Sequence, residues 1–346
     1  MTFRIGIVGI GSVADTHARG IEEIATAELV AGSCRTRSKG EAFATKYGCT
    51  WYGDYEAMFA EADLDVALVC TPSGNHLEPA TAASEYGVHV LCEKPLEITT
   101  ERIDEMITTC EHAGVRLGGI FQNRYLPAAR TVHEAAVSGR FGDLAAVSVS
   151  VPWWRPDEYY EDAWQGTRAL DGGGALINQS IHGVDMAQWL AGAALDVGPE
   201  ENPVAEVFAY TDTLAHDGPE IEVEDTAVLS LRYQDGTLGQ VLATTSMYPG
   251  LEKRIQIGGR DGSAEIVADE RGEWQFRHDR GNATEIPASS PPADDRSEYG
   301  RNVETFLDAV ESDEPYELDG YEARKAVAIV RAAYESAEVG RPIVPN

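Results

Sequence analysis

Phe3–Ala14 reads FRIGIVGIGSVA, and its reading decides the fold. Phe3 to Ile10 is apolar almost throughout and rich in β-branched residues, the pattern of a strand buried on both faces. Gly9 and Gly11 follow, and a helix-like stretch runs on to about Thr26. A glycine at position 9 permits a tight turn, one at position 11 lets backbone amides approach a pyrophosphate, and Ala14 lets helix and strand pack closely. With Ser12 and Val13, these residues form the expected dinucleotide-binding loop. The match carries weight because it follows a strand and opens a helix.

The pattern then repeats. Strand-like runs at 27–33, 65–72, 89–95 and 115–122 alternate with helix-like stretches at 38–48, 75–87 and 99–114. Such alternation means βαβ units and a parallel sheet. The texture changes after Asn123. A helix over 126–140 and the alternating strand LAAVSVSVP over 144–152 come first, then an aromatic segment and a glycine-rich start to a helix running to Leu190. From Val204 to His278, strand follows strand with turn signals such as YQDGT and GGRDGS, which reads as an antiparallel meander. A loop over 281–295 and helices near 298–311 and 320–339 close the chain. The expectation is an α/β Rossmann domain with a doubly wound parallel sheet over 1–123. An α+β domain with an open, mostly antiparallel sheet follows over 124–346.

Composition narrows the function classes. A formal charge of −31 disfavours nucleic acid and anionic membranes as partners, because phosphate binding needs a basic face. No apolar run approaches the ~18 residues of a membrane span. The N-terminus goes straight into a strand without a signal-peptide pattern, so a soluble, cytoplasmic protein is expected. Cys34, Cys49, Cys70, Cys92 and Cys110 show no CxxC pair, which points to reduced thiols and no metal site. Lysine occurs only at 39, 46, 94, 253 and 325, against 58 acidic residues. Abundant acid with scarce lysine reads as adaptation to a salt-rich cytoplasm, where at ~1 M salt the screening length is only about 3 Å.

Two cationic features stand out in so acidic a chain. The end of the second strand reads SCRTRSK, with no acid to accept from a ribose 2′-hydroxyl; instead Arg35, Arg37 and Lys39 stand beside Ser33 and Thr36. That favours NADP over NAD, although Arg35 could equally stack on adenine. The second feature is Lys94, in CEKP, directly after the apolar run Val88–Cys92.

Taken with VCTPSGNH (69–76), CEKP (92–95) and GGGALINQSIHGVD (172–185), the chain resembles the Gfo/Idh/MocA oxidoreductase family (glucose–fructose oxidoreductase, inositol dehydrogenase, rhizopine catabolism) over nearly its whole length. The resemblance implies a dehydrogenase acting on a hydroxyl of a sugar, polyol or nucleotide sugar, and a homodimer or homotetramer built through the C-terminal sheet. It implies that Lys94 is the catalytic lysine, reaching the reacting oxygen beside the nicotinamide, and that His182 is the acid/base. Asn178 stands where the family usually has aspartate. Asn178, His182 and Asp185 fall at i, i+4 and i+7, on one face of the expected helix, and Asp185 could supply a carboxylate. Thr71, Pro72, His76, Glu93 and Gln122 match cofactor-lining positions, and Arg124, at the domain crossover, is expected to bind substrate. In the segment 153–168, Trp153, Trp154, Tyr159 and Trp164 suit sugar faces, and Arg155 and Arg168 suit carboxylate or phosphate. The tryptophans equally suit a core or a subunit interface.

Two other functions stay open at this level. One is a glycoside hydrolase that uses NAD transiently with no net redox. The other is a non-catalytic sugar- or dinucleotide-sensing regulator, against which the retention of Lys94 and His182 weighs. The charge itself generates a test: dialysis into 50 mM salt should unfold or inactivate the protein, with recovery in ~1–3 M KCl. Full stability at low salt, followed by circular dichroism, would overturn the halophilic reading.

Overall fold

The structure is a computed structural model that describes residues 2–161, 163–198, 200–216, 221–269, 271–276, 284–285 and 296–346. The chain divides into two compact units, Met1–Gln122 with Arg296–Arg324, and Asn123–Asp295 with Lys325–Asn346. The crossover expected after residue 123 is therefore the first of three, and a C-terminal segment counts with the first unit.

In the first unit, β1 (Phe3–Val8), α1 (Ala14–Glu22), β2 (Ala27–Ser33), α2 (Arg37–Tyr47), β3 (Thr50–Tyr52), α3 (Tyr55–Glu61), β4 (Val66–Val69), α4 (Leu77–Glu85), β5 (His89–Cys92), α5 (Thr100–Ala113) and β6 (Leu117–Gly119) follow in turn. The strands form one parallel sheet in the order β3-β2-β1-β4-β5-β6, the doubly wound arrangement expected. Ile5, Ile7, Leu68, Val90 and Leu91 are wholly buried, as continuous apolar strands require. β3 and α3 had no clear signature in the sequence. β3 is only three residues long and half exposed, and α3 is announced mainly by its cap, Asp54, whose carboxylate accepts from Ala57 N at 3.4 Å.

α8 (Glu298–Ser312) also belongs to this unit. Ser297 caps it by accepting from Gly300 N, and the Glu23 carboxylate takes both Ser297 N and Ser297 Oγ at 2.8 Å. A Cβ on Gly20 would meet Gly300 N at 3.1 Å, so two glycines let α1 and α8 approach.

The second unit contains α6 (Pro127–Val137), β7 (Leu144–Pro152), α7 (Ile181–Leu195), β8 (Val204–Asp212), β9 (Thr226–Tyr233), β10 (Leu238–Thr244), β11 (Arg254–Gly259), β12 (Gly262–Val267), β13 (Arg271–Phe276) and β14 (Thr284–Glu285). Its sheet runs β14-β13-β12-β11-β7-β10-β9-β8. The expected single meander is thus two. β8–β10 and β11–β14 are separated by β7, which runs parallel to β10 and antiparallel to β11. β7 can occupy the middle because Val147, Val149 and Val151 line its buried face. Apart from β14, most of the loop expected over 281–295 lies outside the described residues. α9 (Gly320–Val339) closes the chain; the third crossover falls within it, and its C-terminal part belongs to the second unit. Among the described residues no helix is long and apolar enough to cross a membrane, and no cluster of His, Cys, Asp or Glu could hold a metal.

Candidate active site

The glycine loop of the first unit separates two kinds of glycine. Gly9 has φ 96°, and a Cβ there would lie 2.7 Å from the Cys70 backbone, so the fold itself demands glycine. Around Gly11 a Cβ would meet no protein atom within 4 Å. Its smallness answers nothing in the chain; it keeps space open for something else. Ser12 is exposed, and α1 begins at Val13–Ala14 with no side-chain cap, leaving its first amides for an incoming acceptor. The loop fits a dinucleotide pyrophosphate.

At the end of β2, Arg35, Thr36, Arg37 and Lys39 are all exposed. Arg37 is taken by Glu41 at 2.7 Å. Among the described residues, Arg35 and Lys39 make no hydrogen bond or ion pair.

After β4, Thr71 Oγ1 donates to Asn75 O at 2.7 Å. His76, expected against the cofactor, is instead buried: its Nδ1 lies 3.0 Å from Pro95 O and its Nε2 2.9 Å from Thr71 O. It ties the turn after β4 to the turn that carries Lys94. Glu93 and Gln122 are buried too. Glu93 Oε1 lies 2.8 Å from His17 Nε2, and Glu93 Oε2 accepts from Lys94 N at 2.9 Å. Burial pushes the Glu93 pKa up, but the His17 hydrogen bond and the charges nearby outweigh it, so the carboxyl lies below its ordinary value. Tyr299 of α8 sets its ring edge-on to His17 at 5.2 Å, and its hydroxyl accepts from Gln122 Nε2 at 2.9 Å. Sequence reasoning missed His17 and Tyr299. A polar residue on the buried face of α1 was a signal for the first; nothing local marks the second. Lys94 itself, at the end of β5, is half-buried.

In the second unit, the glycine-rich segment leads into a π-helical turn, Ala175–Gln179, and α7 starts only at Ile181. The expected continuous helix is therefore broken, and Asn178 does not share an α-helical face with His182 and Asp185. The cause is Glu224. Its buried carboxylate accepts from Gly174 N and Leu176 N, each at 2.9 Å, and from the Tyr334 hydroxyl at 2.9 Å. Burial pushes its pKa up. A Cβ on Gly174 would run into the Glu224 carbonyl, and one on Gly173 into the Tyr334 hydroxyl.

Arg124 and Asp185, expected against substrate, are buried and take each other: Arg124 Nε donates to Asp185 Oδ2 at 2.8 Å, and a second nitrogen to Oδ1. Arg124 also lies over the Trp189 ring at 5.1 Å. This pair locks α7 and is not presented to a ligand. His182, one residue into α7, is half-buried.

Asn178 Nδ2 donates to Asp171 Oδ1 at 2.5 Å, and Asp171 Oδ2 accepts from Gly166 N at 2.8 Å. Gln179 Nε2 donates to Asn178 Oδ1 and to the Tyr159 hydroxyl, both at 2.9 Å, while its Oε1 accepts from Arg155 at 2.7 Å. Burial, with the Asp171 charge, pushes the Tyr159 phenol up. Asn178, Tyr159 and Arg155 are thus brought together, joined by Asp171 and Gln179, which sequence reading passed over although Asp171 immediately precedes the quoted motif and Gln179 lies within it. Trp153 lies against Arg155 at 5.4 Å. Trp154 stacks instead on His216 at 5.6 Å, itself 3.0 Å from Asp225. Arg168 is exposed and bound to Glu222. Trp164 is half-buried, and its carbonyl accepts from Thr167 Oγ1 at 2.7 Å.

Residues 3–121 match the profile of an oxidoreductase family with an NAD-binding Rossmann fold, and residues 129–265 match the GFO/IDH/MocA C-terminal domain. Myo-inositol 2-dehydrogenase of Thermotoga maritima is 28% identical over 98% of both chains. D-xylose 1-dehydrogenase (NADP(+)) 2 of Haloferax volcanii is 26% identical, again over 98% of each. Among solved structures, the WlbA dehydrogenase from Bordetella pertussis, in complex with NADH and UDP-GlcNAcA, superposes with a TM-score of 0.87 at 34% identity over 99% of each chain.

The two kinds of glycine predict opposite outcomes. Gly174→Ala should cost about 1–3 kcal/mol of stability by overpacking against backbone, whereas Gly11→Ala should leave stability within about 0.5 kcal/mol. Thermal unfolding of both variants in multimolar KCl checks this. A neutral Gly174→Ala would refute the role given to Glu224.

Proposed function

Because this chain belongs to the GFO/IDH/MocA oxidoreductase family, we propose that it is an NAD(P)-dependent dehydrogenase acting on a hydroxyl-bearing carbon of a sugar, with a nucleotide sugar as the favoured class. The observation that carries the dehydrogenase reading is the combination in the first unit of a Gly11 cradle that no protein atom fills and a half-buried lysine on a fixed strand end. When bound, the nicotinamide supplies the hydride acceptor or donor. Ser12, Val13 and Ala14 would offer the pyrophosphate their backbone amides, with Gly9 and Gly11 keeping the loop tight and open, their own amides being donated to Ser33 O and Gly9 O. Lys94 would stabilise negative charge on the reacting oxygen; its main chain is held by Glu93, and the turn it opens by His76. His182 would take or return the hydroxyl proton. The nucleotide-sugar reading rests on the 34% identity to a dehydrogenase solved with UDP-GlcNAcA.

NADP is the cofactor we favour. β2 ends without an acid, and Arg35 and Lys39 make no ion pair among the described residues. Two free cations in a chain of net charge −31 suit a 2′-phosphate. A relative from Haloferax volcanii whose name specifies NADP(+) agrees with this reading. The exposed face of the second unit's sheet, with Val228, Ser230, Arg232 and Gln240, is the surface we assign to homo-oligomer formation.

Lys94→Ala and His182→Ala should each lower kcat by at least ~10²-fold with cofactor affinity nearly unchanged, because both act in the transition state. A screen of nucleotide sugars, polyols and free sugars with both cofactors supplies the substrate. Near wild-type turnover by Lys94→Ala would remove the lysine from the mechanism. For the cofactor, Arg35→Ala should weaken NADP binding by roughly 1.5–3 kcal/mol and NAD far less. Equal losses for the two, measured by calorimetry, would mean that Arg35 stacks on adenine.

A further inference from the structure

In a chain with 58 acidic residues against 27 basic ones, a half-buried arginine without a carboxylate partner needs an explanation. Arg155 is half-buried, and among the described residues no carboxylate pairs with it. Its Nε and one terminal nitrogen donate to Gln179 Oε1 at 3.2 and 2.7 Å, and its guanidinium lies 5.4 Å from the Trp153 ring centre and 5.3 Å from that of Tyr159. Two aromatic contacts and a two-pronged hydrogen bond fix the plane of the group. Its other terminal nitrogen makes no hydrogen bond among the described residues.

What holds Gln179 in that orientation is a directed series. The Asp171 carboxylate can only accept, so it must receive the Asn178 amide nitrogen, which turns Asn178 Oδ1 the other way. Oδ1 then receives Gln179 Nε2, which turns Gln179 Oε1 toward Arg155. Asp171 is itself fixed by Gly166 N and is 1% exposed. Two amides in series therefore join a buried carboxylate to a guanidinium, every donor pointing the same way. An amide oxygen holds the guanidinium without cancelling its charge, as a carboxylate would.

We propose that Arg155 is a binding group for an anionic oxygen function of the substrate, with Asp171 as the positioning residue that orients it through Asn178 and Gln179. Arg155 is bonded to a residue three positions before His182, so the anion would sit within a few ångströms of the segment that carries the proposed acid/base. The proposal rests on the sugar-dehydrogenase reading for the ligand being a sugar. Its chemistry is met either by a carboxylate on the ring or by a nucleotide diphosphate. A half-buried fork keeps much of its strength at high salt, because partly buried pairs are screened less than exposed ones.

The test is calorimetric titration of the cofactor-loaded protein in multimolar KCl with D-glucose, D-glucuronate, UDP-glucose and UDP-glucuronate. Wild type should prefer the anion-bearing member of at least one matched pair. In Arg155→Gln that preference should fall at least about tenfold, the loss expected of a charge-assisted bond. Gln179→Glu should do the same by giving the guanidinium an internal carboxylate. Asp171→Asn, which no longer dictates the Asn178 orientation, should lose part of it. A fall confined to glucuronate over glucose assigns a ring carboxylate; one confined to UDP-glucose over glucose assigns the diphosphate. Equal affinity of wild type for charged and neutral members, or an unchanged preference in Arg155→Gln, would overturn the proposal. Anionic sugars bound through Arg155 but never oxidised or reduced would sink the dehydrogenase reading alone.

Discussion

A single buried carboxylate, Glu224, decides where the chemistry of the second unit can stand. Removing it from water costs several kcal/mol unless its oxygens are satisfied. Two backbone amides and a tyrosine hydroxyl satisfy them. Because the two amides belong to Gly174 and Leu176, the carboxylate fixes the start of the segment that ends at His182. The glycines are a consequence: the chain must pass against the Glu224 carbonyl and the Tyr334 hydroxyl with no Cβ in the way. The π-helical turn follows from the same anchoring, since α7 begins where the held segment lets it. π-turns gather at functional sites, and here one sets Asn178 apart from the α7 face and toward Asp171.

The first unit solves a similar problem with different groups. Lys94 follows a largely buried strand, and its main chain is held from behind by Glu93, which leans on His17, which leans on Tyr299. His76 fastens the next turn. In both units, half-buried residues suited to chemistry stand on or near backbone held by buried polar side chains. Residues that face a ligand need supporting hydrogen bonds to hold a rotamer, and those supports must be desolvated to be strong.

Charge is distributed with the same economy. Many cations of this acidic chain meet a carboxylate, as Arg37 meets Glu41 and Lys46 meets Asp15. Arg35, Lys39 and Arg155 do not, among the described residues. Exposed arginines such as Arg232 and Arg341 also lack one among the described residues; Arg155 is the informative case because it is half-buried, where an uncompensated charge costs more.

The sequence by itself determined the βαβ architecture of the first unit, the glycine loop and both C-terminal helices. Those features are local: continuous apolar runs, a period of 3.6, turn residues at fixed offsets. It also carried Arg35 and Arg155 as candidates, since charge scarcity is visible in composition. It could not show that Arg124 and Asp185 consume each other, that His76 is a tie between turns, or that α8 counts with the first unit. Nor could it place β7 between β10 and β11, or give Asp171 and Gln179 a purpose. Each of those depends on which residues, distant in the chain, come within ~3 Å once the backbone closes. A hydrogen bond across many residues leaves no periodicity to read.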